Sequence, residues 1–267
     1  MTVVVKVGGS IASNGIPNRL IADIASLAEI GLIVVHGGGP AVTELTSSLG
    51  IEPKFITSPN GIRSRYTDAA TMSAFLMAIK GKINTEIVLA LGRYGVNAVG
   101  LTGIDAGLIQ AERKARLRTL SENGRPMLID GGYTGRITGV NSSFLKILLG
   151  EVLVPVIAPI AVSSQMEALN VDGDRAAAAV AGSMGSSLLV LLTNVDAVIL
   201  DGKPVRTIKR DELMDVMKKV GSGMDKKLLA AGEAIDSGVS RVVICNGNSE
   251  RPVSEAVDNS IGTVITK

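Results

Sequence analysis

The chain has very few aromatic residues, a single cysteine and a single histidine. Aromatic residues make up 2% of its 267 residues, and tryptophan is absent. Because 46% of the residues are hydrophobic, the core must consist of Val, Ile, Leu, Ala and Met. Such a core is typical of a parallel sheet covered by helices on both faces. A lone Cys245 excludes a disulfide framework, and with His36 as the sole histidine no zinc-ligand spacing is present.

Charge of either sign is not in excess. Lys and Arg total 27 against 25 Asp and Glu, a net charge of +2, so the cation excess of a nucleic-acid-binding protein is missing. No apolar run reaches the length of a membrane span, and no basic leader with a cleavage site precedes the first apolar segment. These features, together with the near absence of cysteine, predict a cytoplasmic protein that binds neither membranes nor nucleic acid.

Two apolar segments each end in a run of glycines. Val34, Val35 and His36 lead into Gly37-Gly38-Gly39-Pro40, and the segment 3–7 leads into Gly8-Gly9-Ser10. Glycines leave backbone N–H groups accessible to an anion, and a helix starting at Pro40 adds a partial positive charge. Each run alone is typical of an ordinary tight turn between a strand and a helix. Together, with Lys6 just before the first turn, they indicate a paired anion cradle.

Alternating strands and helices are predicted along most of the chain. Helical spacing covers 17–29 and 40–49, with a strand at 32–35 between them, which forms a right-handed βαβ unit. Thr67 or Asp68 is a candidate N-cap for a helix that reaches 78, and a second helix is predicted over 84–94. No repeat or low-complexity linker divides the chain. The sequence therefore predicts an α/β protein of one domain, 1–267, whose halves share one continuous, mostly parallel sheet.

The segment 107–141 differs in character. Short apolar pieces alternate with turn residues, as at Asn123-Gly124, and predict an antiparallel hairpin layer; Asn60-Gly61 predicts another turn upstream. The same segment carries a basic cluster in which Arg113, Lys114, Arg116 and Arg118 stand close together. In a chain of little net charge this cluster is a local positive field. It predicts either a solvated hairpin face or a contact with an acidic partner.

Two further motifs lie in the second half. Asn170-Val171-Asp172-Gly173-Asp174 precedes a helix of small residues and by itself is typical of a helix cap. Gly223-Met224-Asp225-Lys226-Lys227 precedes another predicted helix.

The motifs occur in the order found in the amino acid kinase superfamily, and the resemblance covers essentially the whole chain. The glycine triplet with its proline and the Gly-Met-x-x-Lys turn resemble the N-acetylglutamate kinase branch. The run Gly61 to Asp68 is longer than that branch's Gly-Leu-Arg-Val-Thr-Asp. With the basic cluster, it looks more like the LysZ-type kinases, which act on aminoadipate or glutamate tethered to the acidic carrier protein LysW.

The resemblance implies a three-layer αβα sandwich around a central, mostly parallel open sheet. It also implies an acceptor-substrate lobe over about 1–165 and an ATP lobe over about 166–267. A carboxylate acceptor is already an anion at neutral pH, so phosphoryl transfer to it needs neutralisation of charge rather than a general base. The implied catalytic residues are Lys6, Lys227 and Asp174, with Asp174 holding both lysines. Mg²⁺ is expected to be held by the nucleotide phosphates, without a dedicated set of protein ligands.

The remaining site residues are also implied by the resemblance, with Arg65 chosen because guanidinium can bind a carboxylate bidentately. For Arg63 the sequence leaves a carrier contact and a solvent-facing position equally open. The phosphate and transition-state donors are Gly9, Ser10, Gly37 and Gly38; the acceptor-substrate residues are Gly38, Gly39, Arg65 and Asn170; the ATP residues are Thr193, Asp196, Lys203 and Met224; the carrier contacts are Arg63, Arg113, Arg116 and Arg118.

Three functions remain open from the sequence. The first is an ATP-dependent kinase for carrier-bound aminoadipate or glutamate, in lysine or arginine biosynthesis. The second is a kinase for free N-acetylglutamate, and the third is a non-catalytic amino acid sensor with the same fold. The retention of Lys6, Asp174 and Lys227 together argues against the sensor. A homodimer is expected from the apolar surface of the helical region 67–94.

Overall fold

The computed structural model describes residues 1–12, 15–59, 61–121 and 123–267, and its secondary structure alternates as the sequence predicts. Asn60, part of a predicted turn, lies outside the described residues. The strands are β1 (Val3–Val7), β2 (Leu32–His36), β3 (Phe55–Thr57), β4 (Arg63–Arg65), β5 (Ala98–Thr102), β6 (Ile109–Arg113), β7 (Arg116–Leu120), β8 (Pro126–Asp130), β9 (Gly135–Val140), β10 (Val154–Ala158), β11 (Ile160–Val162), β12 (Ala168–Asn170), β13 (Leu188–Thr193), β14 (Val198–Leu200), β15 (Lys203–Val205), β16 (Thr207–Lys209), β17 (Arg241–Asn246) and β18 (Thr263–Thr266). The α-helices are α1 (Gly9–Ala12), α2 (Asn18–Ser26), α3 (Gly39–Ser48), α4 (Ala69–Leu76), α5 (Thr85–Gly92), α6 (Ser142–Gly150), α7 (Gly173–Ser183), α8 (Leu213–Met217), α9 (Met224–Asp236) and α10 (Pro252–Val257).

One large sheet runs through both halves of the chain. Among the described residues it has eight strands in the order β16-β18-β17-β13-β1-β2-β10-β5. All neighbouring pairs are parallel except β17 with β18, which is antiparallel. The predicted continuous and mostly parallel sheet is confirmed, and β1 lies near its centre between β13 and β2.

Helices cover both faces of this sheet. On one face, the core contains residues of α2, α3, α4 and α10 packed against Val3, Val5 and Val7 of β1. On the other face, α6, α7, α8 and α9 pack against the layer that includes Val4. The alternation of β1 side chains between the two faces puts Lys6 on the side of Val4, where it is 6% exposed. A lysine so deeply buried requires a charged partner.

The helical region after Asp68 is continuous rather than split. Asp68 caps its start, because Asp68 Oδ1 accepts from the Thr71 amide at 2.9 Å, as predicted. The predicted gap between two helices is wrong: α4 and α5 are joined by a π-helical segment, Met77–Asn84. Gly81 lies in that segment with open space beside it, so it is tolerated there without ending the helix. Single π-type segments inside α-helices are frequent near functional sites.

The hairpin layer predicted over 107–141 is present. β6 pairs with β9 and β7 with β8, both antiparallel. Three helices that the pattern did not predict, α1, α6 and α10, are also present. No helix in the described part of the chain is both long and apolar enough to cross a bilayer.

Candidate active site

The two glycine runs meet at the carboxyl edge of the sheet. β1 and β2 are parallel neighbours in which Val7 lies opposite His36, and the Gly37 amide donates to the Val7 carbonyl at 2.9 Å. A Cβ atom on Gly9 would lie 3.0 Å from the Gly38 nitrogen and 3.1 Å from that of Gly39. Neither loop therefore has room for a side chain where it faces the other. The predicted pairing of the two loops is confirmed.

These loops present backbone donors. α3 begins at Gly39 with a proline in its first turn, and α1 begins at Gly9. Within the described residues, the amides of Gly9, Gly38 and Gly39 have no protein acceptor. Unpaired amides at helix N-termini bind anions such as phosphate.

An ion triad lies beside the loops. The Lys6 Nζ is 2.7 Å from Asp174 Oδ1, and the Lys227 Nζ donates to Asp174 Oδ2 at 2.9 Å. The three side chains are 7%, 13% and 8% exposed for Lys6, Lys227 and Asp174. The sequence-based expectation that one carboxylate holds both lysines is met by this geometry.

The Asn-x-Asp-x-Asp motif caps a helix and places Asp174 between the two lysines. Asp172 Oδ1 caps α7 by accepting from the amides of Asp174 at 3.0 Å and Arg175 at 3.1 Å. This cap fixes the first turn of α7, which carries Asp174 to the end of β1. The interpretation of the motif as a helix cap is therefore confirmed for Asp172, and the catalytic role of Asp174 stays a prediction.

The charges of the triad shift the pKa values of Asp174 and Lys227. Burial opposes ionisation of Asp174, but the ammonium groups of Lys6 and Lys227 outweigh it and hold the Asp174 pKa well below its ordinary value. Burial, and then the nearby Lys6 charge, lower the Lys227 pKa despite the attraction of Asp174. Two cations thus stay concentrated at one point, balanced by a single carboxylate.

Asp174→Asn should lower the free energy of unfolding at pH 7 by about 3 kcal/mol, because two buried ammonium groups lose their counter-charge. The folded-state pKa of Asp174 is depressed, so its contribution is present above its unfolded pKa of about 3.9 and is lost as pH falls towards the folded value. Urea titrations at pH 7 and pH 3 test this: the difference between wild type and variant should narrow at pH 3. An equal difference at both pH values would contradict the coupling.

A cavity of about 640 Å³ is lined by the loops and by Lys6 and Asp174 of the triad. Lys227, predicted as catalytic, is not among the described lining residues and reaches the site through its contact with Asp174. Its wall is strongly basic. It includes predicted site residues from both halves of the chain: Lys6, Gly9, Gly37, Gly38, Gly39, Arg65, Arg116, Arg118, Asn170 and Asp174. It also includes basic residues that the sequence analysis did not assign to the site: Lys114, Arg175 and Lys226. Lys114 lies between β6 and β7, two residues before Arg116, and its place in the basic cluster is the signal that could have found it.

Arg65 is held from one side and free on the other. Its Nη2 donates to the Gly39 carbonyl at 3.0 Å and to Thr43 Oγ1 at 2.5 Å, and its guanidinium lies 4.8 Å from the Phe55 ring. Its Nη1 is buried without a partner in the described chain. Both Nη2 hydrogens are already used within the protein, so Arg65 cannot bind a carboxylate through Nη1 and Nη2 together as expected. Nη1 remains to bind an anion.

Two polar residues, Asn170 and Thr134, line the same cavity as Arg65. Asn170 Nδ2 donates to the Thr67 hydroxyl at 2.8 Å. Thr134, which the sequence analysis did not single out, pairs with Asn170 in an isolated bridge. The Thr134 hydroxyl is buried and unpartnered among the described residues, so it is available to a ligand.

Several predicted residues lie away from the cavity wall. Arg113 binds Glu167 at 2.7 Å and stacks 4.5 Å from the Tyr133 ring, so its charge serves the fold. Arg63 stacks 4.4 Å from Phe55. Ser10 lies in α1, next to Gly9. None of the three is among the described residues that line the cavity.

The predicted nucleotide residues are not among the described residues that line the cavity. Thr193 ends β13, which pairs with β1 beside the first glycine loop, and Asp196 Oδ1 accepts from Asn246 at 2.7 Å. Lys203 begins β15, and Met224 begins α9 and packs against the core. None of these four residues is in the cavity wall as the structure describes it. Their assignment to ATP stays a prediction.

Comparison with known proteins places the chain among kinases. The family model described as "Amino acid kinase family" matches residues 1–246. A kinase of Saccharolobus islandicus named LysW-aminoadipate/LysW-glutamate kinase is 42% identical over 264 residues, covering 98% of each chain. A protein of Nitrosopumilus maritimus, 50% identical over the same length and the same share of each chain, carries that name in provisional form.

Among solved structures, an N-acetylglutamate synthase of Neisseria gonorrhoeae, in complex with coenzyme A and N-acetylglutamate, superposes with a TM-score of 0.82 at 25% identity. The match covers all of this chain and 59% of the other. The fold and the resemblance inferred from the sequence are therefore confirmed. The chain belongs to the amino acid kinase family.

Proposed function

We propose that this protein transfers the γ-phosphoryl group of ATP to the side-chain carboxylate of aminoadipate or glutamate whose amino group is attached to an acidic carrier protein of the LysW type. The observation that carries the proposal is that the glycine cradle, Lys6 and Asp174 line one cavity with a basic wall, and that Lys227 binds Asp174 beside it. The product is an acyl phosphate. The names of the relatives at 42% and 50% identity support this acceptor over free N-acetylglutamate.

The residues suit transfer between two anions. Bringing a carboxylate to the γ-phosphate requires neutralisation of repulsion, and catalysis then consists of alignment and electrostatic stabilisation. Lys6 and Lys227 supply two cations from opposite ends of the chain, and Asp174 fixes their positions. The free amides of Gly9 and Gly38 add hydrogen-bond donors aimed at the same region. The acceptor oxygen attacks phosphorus as the bond to the ADP leaving group breaks, so no proton needs to be moved.

The acceptor is proposed to bind between Arg65 and Asn170. The unpartnered Nη1 of Arg65 is a donor for a carboxylate, and the Thr134 hydroxyl adds a second unused polar group nearby. Lys114, Arg116 and Arg118 line the same cavity and add basic side chains to its wall. A peptide that carries the substrate and is itself acidic would be attracted along that wall.

The nucleotide is proposed to bind over the lobe 166–267, near Thr193, Asp196, Lys203 and Met224. Support comes from the position of the β13 carboxyl end beside the first glycine loop. Kinases of this family use ATP, and Mg²⁺ is proposed to arrive with the nucleotide phosphates. Both carboxylate oxygens of Asp174 face lysines, and no cluster of three or more His, Cys, Asp or Glu in the described chain could hold a metal ion. When bound, Mg²⁺ would neutralise phosphate charge.

Two further expectations stay proposals. A homodimer is proposed through the helical region 69–92, where Met77 and Leu89 are 57% and 60% exposed. A cytoplasmic location is proposed from the single, buried cysteine.

Turnover with defined acceptors tests the proposed function. The kcat/KM for ATP consumption should be at least 100-fold higher with glutamate or aminoadipate attached to an acidic carrier than with free N-acetylglutamate. Acyl phosphate formation, trapped with hydroxylamine, should accompany it. Preference for free N-acetylglutamate would instead support the alternative kinase, and absence of turnover with all acceptors would support the sensor.

A further inference from the structure

A buried chain of hydrogen bonds lies directly beneath the glycine cradle. His36, which is fully buried, has its Nδ1 3.0 Å from the Gly37 carbonyl oxygen and its Nε2 3.0 Å from Asn84 Nδ2. Asn84 Nδ2 also donates to the Val156 carbonyl at 2.9 Å. Asn84 Oδ1 accepts from Lys80 Nζ at 3.1 Å, and Lys80 donates in turn to the Gly100 carbonyl at 2.5 Å.

The partners determine which atoms carry hydrogen. Carbonyl oxygens only accept, so His36 Nδ1 must carry a proton to bond with Gly37, and Asn84 must place its NH₂ group towards Val156. The second hydrogen of that NH₂ group then points to His36 Nε2, which must accept. If Nε2 also carried a proton, its N–H and the NH₂ group of Asn84 would be two donors facing each other with no acceptor between them. His36 is thus neutral with its proton on Nδ1, and burial accordingly lowers its pKa to about 4.

This arrangement fixes a peptide group of the cradle. No cis peptide bond occurs in the described residues, so the Gly37 carbonyl and the Gly38 N–H point in opposite directions. The His36 ring holds the carbonyl on the buried side. The Gly38 N–H consequently points away from His36; Gly38 lines the cavity, and its N–H has no protein acceptor in the described chain.

The π-helical segment brings the supporting groups into place. Lys80 and Asn84 both belong to Met77–Asn84, and so do Ile79 and Ile83, whose side chains meet the underside of Gly38. A Cβ atom at position 100 would overlap Asn84 Oδ1, so glycine is required where the segment approaches β5. The segment and the sheet thus form a rigid base for the loop.

We propose that His36 and Asn84 are positioning residues for phosphoryl transfer, which orient the Gly38 amide towards the transferring group through the Gly37–Gly38 peptide. Neither touches a reactant. The proposal rests on the proposed phosphotransferase function, because it assigns a task to the amide only during transfer.

The first test needs no variant. His36 is the sole histidine, so protein labelled with ¹⁵N-histidine gives one pair of ring signals in ¹⁵N–¹H correlation spectra. Free histidine prefers the Nε2–H form. We expect the spectra to show a ring with a proton on Nδ1 and none on Nε2. This pattern should stay the same from pH 6 to pH 8. An Nε2–H ring, or protonation within that range, would overturn the inference.

The second test separates positioning from stability. Asn84→Leu keeps the volume but removes both contacts to His36 and Val156. It should lower kcat about 30-fold, less than the full loss of a transition-state donor, with the KM for ATP within threefold. Asn141→Ala, which removes the half-buried N-cap of α6 outside the described cavity wall, is the matched control: it should lower Tm but leave kcat unchanged. If folded Asn84→Leu retains kcat within threefold, the positioning role is wrong. Wild-type turnover tests the proposed function separately from the ring spectrum.

Discussion

Lys227→Met should lower kcat by about a thousandfold or more, and Lys6→Met should do the same, with the fold retained. Each substitution keeps the apolar stem and removes one of the two cations beside Asp174. Removing a single cation that stabilises a transferring phosphoryl group costs about 10³-fold or more in known phosphotransferases. Because burial and the nearby Lys6 charge already disfavour the Lys227 ammonium, its removal should cost little stability.

Steady-state kinetics with ATP and a carrier-borne acceptor measure this prediction. Lys218→Met is the matched control, since Lys218 forms an exposed ion pair with Asp215 at 2.8 Å and loses the same charge. The control should retain kcat within twofold. If both active-site variants keep more than a tenth of wild-type kcat, transfer does not depend on the triad.

Much of the centre of the fold could be predicted because its signals are local. A β-branched strand followed directly by glycines predicts a buried strand with an anion-binding exit, and β1 and β2 both have this form. The cap at Asp68 lies three residues from the amide it binds. Such features depend on neighbouring residues, which the sequence displays side by side.

Features that depend on distant partners could not be predicted in this way. The start of α10 is capped from α2, because Asp23 accepts from the amides of Val253 at 2.6 Å and of Ser254. Nothing close in sequence announces that cap. In contrast, α6 has a local signal, Asn141 bonded to the Phe144 amide at 3.2 Å, which the sequence analysis overlooked. The convergence of Lys6 with Lys227 was available only through the family resemblance.

The basic cluster was also only partly predictable from the sequence. Its composition indicated a positive field, but composition does not say which side chains share a face. Alternation along β7 puts Arg116 and Arg118 on one face, in the cavity wall, whereas Arg113 belongs to β6 and pairs with Glu167. An acidic partner is therefore expected to meet Arg116 and Arg118 rather than the whole cluster.

The double variant Arg116→Glu/Arg118→Glu should raise the KM for a carrier-borne acceptor about 100-fold. Reversing two charges replaces attraction with repulsion along the wall that the acidic carrier is proposed to follow, and like charges across an interface cost several kcal/mol. The KM for ATP should stay within threefold, because the proposed nucleotide residues lie elsewhere. In wild type, the KM for the acceptor should also rise with added salt, since screening weakens the same attraction, and this dependence should be lost in the variant.

Arg136→Glu provides the control on the same hairpin layer, and it is compared with the single variants Arg116→Glu and Arg118→Glu, which change the net charge by the same amount. Arg136 is 60% exposed, pairs with Glu112 and is absent from the described cavity wall, so its reversal changes net charge without reaching the proposed path. Its KM for the acceptor should change less than threefold. An equal loss in the control would show that the carrier responds only to overall charge, and an unchanged KM in the double variant would show that this face is merely solvated. A loss confined to Arg116→Glu/Arg118→Glu identifies the cavity wall as the carrier's docking path, because these two arginines then act by position rather than by charge alone.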